Sequence, residues 1–171
     1  MHLLILIIGP SGTGKSTLAQ SFVSDRYICE ADTYPGLYTN GMIQPYLVPT
    51  AHEACKHLVE NFMKQREPTI VQSNTNLDLG DHGIKPYLYL AIRYGYEVHI
   101  VLPCYDLFHF DSMYKTRQSQ LDYMIVTRSM GDKIVPAPIL HRMVQSYDIL
   151  KPKLLRLAQT TDPNLMIVML S

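Results

Sequence analysis

Residues Gly9 to Ser16 read Gly-Pro-Ser-Gly-Thr-Gly-Lys-Ser, and residue types at that spacing suit one chemistry, the holding of phosphate. The glycines let the backbone turn tightly and approach an anion with no Cβ in the way. Successive N–H groups then face the phosphates, and the first turn of a following helix adds its positive dipole end. In this pattern, G-x-x-x-x-G-K-[ST], the lysine (Lys15) reaches the β- and γ-phosphates and the Ser16 hydroxyl ligates Mg²⁺. Gly9, Ser11, Gly12, Thr13, Gly14, Lys15, Ser16 and Thr17 are therefore the expected contacts to a nucleoside triphosphate, ATP, with Mg²⁺ as its companion. A ligand-free Gly/Ser-rich turn would not require the Gly14-Lys15-Ser16 triplet.

Such a loop needs a buried strand before it and a helix after it. The apolar run Leu3–Ile8 supplies the strand, and a helix is expected from Lys15. Short apolar runs then alternate with helical periods, the pattern of βαβ units around a parallel sheet. Tyr27-Ile28-Cys29 reads as a weak second strand ending at Glu30-Ala31-Asp32, and Thr33–Pro49 as an irregular loop. Thr50-Ala51-His52-Glu53 has the form of a capping box with Thr50 as N-cap. Ala51, Ala54, Cys55, Leu58, Val59, Phe62 and Met63 follow on one predicted helix face. A third strand covers Thr69–Gln72 and ends at Ser73-Asn74-Thr75-Asn76. A helix from Ile84 to Tyr94 stops at Gly95, and a fourth strand runs from Glu97 to Leu102, closed by Pro103. Residues 105 to 135 are polar and carry several Lys and Arg, as a lid would. A helix from Ala137 is expected to bend or restart at Lys151-Pro152, and Leu165–Leu170 is a last strand. The fold class is thus α/β: a three-layer α/β/α P-loop kinase layout with a five-stranded parallel sheet and a lid segment. Because the given sequence closes on its last strand, loose selectivity for the donor base is expected.

Ligands in such sheets bind at the carboxyl ends of the strands. That rule brings Gly9–Ser16, Asp32 and Asn74–Asn76 together although they are distant in sequence. Asp32 is the expected general base for an acceptor hydroxyl attacking the γ-phosphate, with Glu30, on the same strand face, as fallback. Arg128, in the lid-like segment, is the candidate for stabilising charge on the transferring phosphoryl group, with Arg117 and Lys133 as competitors. Asn74 can donate a hydrogen bond to a substrate phosphate. Tyr34, Tyr38 and Tyr46 can stack on an acceptor base, worth ~1–3 kcal/mol per base. A zinc-protease reading of His52-Glu53 fails, because H-E-x-x-H requires histidine where Lys56 stands and His57 is off the shared face.

The remaining sequence sets bounds. At 171 residues the chain is expected to be one domain, with its lid over 105–135. The formal net charge is zero, which argues against non-specific nucleic-acid binding over the whole surface while leaving a local basic groove open. The three cysteines, Cys29, Cys55 and Cys104, form no C-x-x-C pair and suggest a reducing compartment. The first apolar run is too short to span a bilayer and lacks the flanks of a signal peptide. The expected location is the cytoplasm, or a host-cell interior for a phage-encoded protein, with neither secretion nor a membrane partner. No protein partner is inferred.

With these positions in hand, the chain resembles the polynucleotide-kinase-like P-loop kinases, which include the kinase domain of T-even phage polynucleotide kinase and a eukaryotic branch. The resemblance covers roughly residues 3 to 150. It rests on the phosphate loop, Asp32-Thr33-Tyr34, Ala51-His52-Glu53-Ala54-Cys55, Thr75-Asn76-Leu77, Lys85-Pro86-Tyr87, Gly95-Tyr96-Glu97-Val98 and Gly131-Asp132-Lys133-Ile134-Val135-Pro136, in that order. It implies transfer of the ATP γ-phosphate to a nucleic acid 5′-hydroxyl, DNA or RNA. Lys15, Asp32 and Arg128 would be catalytic, and Tyr34, Asn74 and Asn76 would lie at the substrate. The chain departs from the family at Pro35, where the phage enzyme has an arginine, at Asn74 in place of an aspartate, and at Met130 in place of the lid arginine. Those departures keep open a small metabolite or modified nucleobase as acceptor, or a non-catalytic nucleotide-binding module.

Overall fold

The computed structural model describes residues 1–103, 117–160 and 164–170. Strand β1 (Leu3–Ile8) lies at the centre of a five-stranded sheet, and Leu4 to Ile8 are all buried. Continuous apolar side chains fit a strand covered on both faces, as parallel sheets are. Around it stand β2 (Ile28–Cys29), β5 (Thr69–Asn74), β6 (Glu97–Pro103) and β7 (Leu165–Leu170) in the order β2-β5-β1-β6-β7, with every pairing parallel. The sheet is the expected one.

Helices α2 (Val48–Lys64), α3 (Lys85–Tyr94), α4 (Arg117–Arg128) and α5 (Ala137–Thr160) contribute to the larger core cluster, against Leu4, Leu6 and Ile8. Helix α1 (Lys15–Gln20) packs Ala19 and Leu18 on the opposite face, with Ile5, Ile7 and Val71. The alternation of β1 side chains between the two clusters makes the layers.

Several local expectations are corrected. Helix α2 starts at Val48 with Pro49 in its first turn, so Thr50 is inside the helix and caps nothing. Glu53 pairs instead with Lys56 and His57. The buried stripe of α2 is Ala51, Cys55, Val59 and Met63, while Ala54 and Leu58 face outward. The stretch expected to be an irregular loop contains a small antiparallel hairpin, β3 (Tyr38–Thr39) and β4 (Met42–Ile43), turned by Asn40 and Gly41 at positive φ. Helix α5 runs 24 residues through Pro152 as one element. The lid segment falls partly outside the described residues, as does Cys104. Its described part comprises α4, which buries Leu121 and Met124, and residues 129–135. Helix α3 ends at Gly95 in a left-handed C-cap (φ 70°) as expected.

Candidate phosphate-binding active site

Between β1 and α1 the chain must reverse within a few residues, and Gly12 and Gly14 do so at φ 86° and 76°. These left-handed values favour glycine because no Cβ clashes there. The Pro10 carbonyl receives the Thr13 hydroxyl at 2.9 Å and the Lys15 ammonium at 2.8 Å. Thr13 therefore braces the loop from inside and is buried, as is Gly9. The other expected loop residues, Ser11, Gly12, Gly14, Lys15, Ser16 and Thr17, line a cavity of about 450 Å³.

The opposite wall comes from four distant segments. Asp32 stands in a 3₁₀ turn (Ala31–Thr33) just past β2. His52 comes from α2, Ser73 and Asn74 from the end of β5, and Arg128 from the last turn of α4. Asp132 and Lys133 follow in the segment after α4. The Asp32 carboxylate accepts a hydrogen bond from the Tyr38 hydroxyl at 3.3 Å and lies 3.6 Å from the Lys133 ammonium. A second cavity of about 400 Å³, lined by Tyr34 and Tyr38 among others, shares Asp32, Asp132 and Lys133 with the first. Asp32 thus lines both spaces.

Arg128 is positioned by packing. Leu121, Met124 and Arg128 follow one another at i, i+3 and i+7, one face of a helix, and the first two are buried. The guanidinium is thereby carried over the phosphate loop, where a Cβ added to Gly12 would come within 3.3 Å of its Nε. That Nε–H is buried and has no hydrogen-bond partner. An unpaired buried donor carrying charge is costly, and beside an anion-binding loop it is a vacancy of the right sign for a phosphate oxygen. The loop and Arg128 fit a triphosphate.

For Mg²⁺ the donors are oxygens, which suits a hard cation. Ser16 is exposed to the cavity and Asp32 stands across it. No cluster of three or more His, Cys, Asp or Glu suited to a metal occurs among the described residues. Mg²⁺ bound with nucleotide needs only one or two carboxylates beside phosphates and waters.

Other expected residues are placed differently. Asn74 lines the cavity, but its Oδ1 accepts the Ala31 N–H at 2.8 Å and its Nδ2 donates to Cys55 Sγ at 3.4 Å. Its amide ties the turn bearing Asp32 to β5 and α2, a positioning role. Asn76, at φ 43°, turns its Nδ2 to Gln72 Oε1 at 2.7 Å and lies in a neighbouring groove, outside the phosphate cavity. Tyr34 is half-buried and reaches only the second cavity. Tyr46 is 74% exposed and lines neither space. Of the competitors to Arg128, Lys133 is engaged with Asp32, and the Arg117 side chain lies outside the described residues.

Among the cavity residues to which the sequence assigns no role are His52 and Ser73. His52 lines both the phosphate cavity and the groove holding Asn76; its Ala-His-x-x-Cys context marked it without giving a role. Ser73 is buried with a hydroxyl that has no partner; its place at a strand end was the available signal.

The electrostatics follow from this crowding. Burial lowers the Lys15 ammonium to about 8, opposed by the charge of Asp32 and reinforced by that of Arg128. Burial, with the neighbouring Asp32 carboxylate, pushes the Tyr38 hydroxyl up to about 12, so it remains a proton donor to Asp32. His52 is held below the usual histidine range by burial, with Asp32 pulling the other way.

Parallel strands, glycine loop and crossing arginine define a P-loop α/β domain, a nucleoside-triphosphate-binding fold. The family profile of an AAA domain matches residues 4–133, more than half of the chain, and the chain belongs to that family. No curated protein matches it. A crystal structure of a "putative kinase" from Chloroflexus aurantiacus shares the fold, with a TM-score of 0.57 at 12% identity over 98% of this chain and 88% of that one. No described helix is long and apolar enough to cross a membrane.

Proposed function

We propose that the chain is an ATP-dependent phosphotransferase whose acceptor is the 5′-hydroxyl of a nucleic acid end. The observation that carries this reading is Asp32, common to the phosphate cavity and to the tyrosine-lined cavity beside it. A base beside the acceptor hydroxyl orients it for in-line attack and receives its proton. In this reading Lys15 and the loop amides hold the β- and γ-phosphates. Mg²⁺, held through Ser16, neutralises phosphate charge when bound. The acceptor oxygen bonds to the γ-phosphorus, the bond to the β–γ bridging oxygen breaks, and Asp32 takes the hydroxyl proton. Arg128 faces the charge spreading over the γ-phosphoryl oxygens. Tyr34 and Tyr38 offer aromatic faces to the terminal base.

A small-metabolite acceptor is the second reading, favoured by Pro35 where the resembled family has an arginine. Transfer of γ-phosphate from ATP to 5′-hydroxyl DNA, 5′-hydroxyl RNA, nucleosides and small hydroxylated metabolites, run side by side, tests both. Labelling of the oligonucleotides well above the other acceptors is expected. Labelling of a metabolite alone overturns the acceptor assignment, and no turnover with any acceptor reduces the chain to a nucleotide-binding module.

A further inference from the structure

Two buried oxygens without partners, Glu30 Oε1 and Ser73 Oγ, lie on one face of the sheet beside the phosphate loop. In β2, Ile28 packs with the cluster under α1 and Cys29 with the cluster on the other face. Glu30 continues the extended backbone (φ −130°, ψ 131°), so its side chain returns to the α1 face. In β5, Val71 belongs to the α1-side cluster, which puts Ser73 on that face too. The register pairs Ile28 with Val71 and Cys29 with Gln72, and one step further sets Glu30 opposite Ser73. The Ala31 N–H to Asn74 Oδ1 bond, one residue beyond, keeps that alignment. Ser73, 5% exposed, also lines the phosphate cavity.

We propose that Glu30, through a metal-bound water, and Ser73 complete the divalent-cation site that the Ser16 hydroxyl opens. This rests on the nucleoside-triphosphate reading of the loop. The carboxylate at the strand ends is then supplied by β2, because β5 presents Ser73 and Asn74 there. Asp32 is assigned to the acceptor proton, and the Tyr38 hydroxyl at 3.3 Å and the Lys133 ammonium at 3.6 Å hold its carboxylate toward the tyrosine-lined cavity. Glu30 is half-buried, with its Oε1 buried, and lies outside the cavity lining, which suits contact through water, and Mg²⁺ dehydrates reluctantly and keeps several waters. The charge of Glu30 also acts on Lys15, opposing its loss of a proton, so the carboxylate is within electrostatic reach of the loop.

The test is Mn²⁺ retention, read from the free-Mn²⁺ electron paramagnetic resonance signal with the full chain saturated by a non-hydrolysable ATP analogue. Wild type, Glu30→Gln, Ser73→Ala and Asp32→Asn are compared, each checked for a wild-type melting profile. A parallel titration with nucleotide in chelator isolates the metal-free affinity. Glu30→Gln is expected to weaken Mn²⁺ by about tenfold, the low end for a residue one shell out. Ser73→Ala should lose less, Asp32→Asn should retain the metal, and metal-free nucleotide binding should stay within about twofold throughout. Wild-type retention by Glu30→Gln, or release by Asp32→Asn instead, overturns the proposal. An equal loss of nucleotide in chelator also overturns it, because the effect is then not on the metal. Failure of the wild type to bind nucleotide at all sinks the P-loop reading.

Discussion

Gly9–Thr17 is one contiguous stretch held between β1 and α1, and six of its residues reach the cavity without help from elsewhere. The facing wall takes Asp32 from a turn after β2, His52 from α2, Ser73 and Asn74 from the end of β5, and Arg128 and Lys133 from α4 and the segment beyond it. One wall is a local solution to turning a chain around an anion. The other exists only once four elements have docked. Loop residues should therefore fail individually and completely when changed, whereas the facing wall should respond in proportion to how firmly each piece is held.

The sharpest contrast is expected at Lys15. Lys15→Ala removes a cation from the phosphate cradle and should lower phosphate transfer by about 10³-fold or more, since even a neutral preorganised donor is worth ~10²–10³. The fold should survive, as circular dichroism and melting would record. Wild-type transfer by this variant would refute the assignment of the loop.

On the facing wall, Arg128→Ala should slow transfer by about 10²-fold with little loss of stability, because its Nε–H has no partner to lose. Lys133→Ala should cost less, its ammonium being engaged with Asp32. Rate measurements on these two with Arg117→Ala decide the matter, and a larger loss at Arg117 would shift the functional cation to the start of α4.

Gly41→Ala breaks the comparison in a different place. At φ 76° its new Cβ would lie 2.6 Å from the Gly131 carbonyl oxygen. The Gly41 carbonyl accepts the Ile134 N–H at 2.7 Å, and the hairpin bridges to Ile134 through Met42. The substitution should cost about 1–3 kcal/mol, seen as a lower melting temperature. Transfer should slow as Lys133 shifts, with nucleotide affinity unchanged. An unaltered melting temperature would mean the hairpin is not clamped to that segment.

The smallest effect is on pH. With Lys15 titrating near 8 in the free protein, bound phosphate must raise that value, so binding takes up a proton above it. Affinity is full below pH 8 and falls as pH rises through it, by about tenfold at pH 9 as the protonated fraction shrinks. Calorimetry in buffers of different ionisation enthalpy reads the proton uptake directly, and a flat profile from pH 7 to 9 would contradict the burial of Lys15.

The same contrast explains what could be read in advance. The loop is visible because its residues are adjacent and its glycines answer a backbone requirement. The sheet is visible because strands buried on both faces are continuously apolar. Asp32 could be placed at a strand end, but its Tyr38 partner arises from a hairpin whose strands are two residues each, too short for a periodic signal, and its Lys133 partner from the irregular segment after α4. Arg128 was singled out as a charge in a polar segment. The Leu121–Met124–Arg128 face that aims it was masked by exposed Tyr123 and Val126. Asn74 looked like a substrate contact because nothing in the sequence reveals that Ala31 and Cys55 take up its amide.

The central claim is that Asp32 joins donor and acceptor as the proton acceptor. Its most direct test is phosphate transfer from ATP to a 5′-hydroxyl oligonucleotide by Asp32→Asn, with nucleotide affinity measured on the same preparation. The expected result is a fall in kcat of about 10²–10⁴-fold, the usual worth of a general base, with nucleotide affinity within a few-fold of wild type. A loss confined to KM with kcat intact would contradict it and make Asp32 a positioning residue.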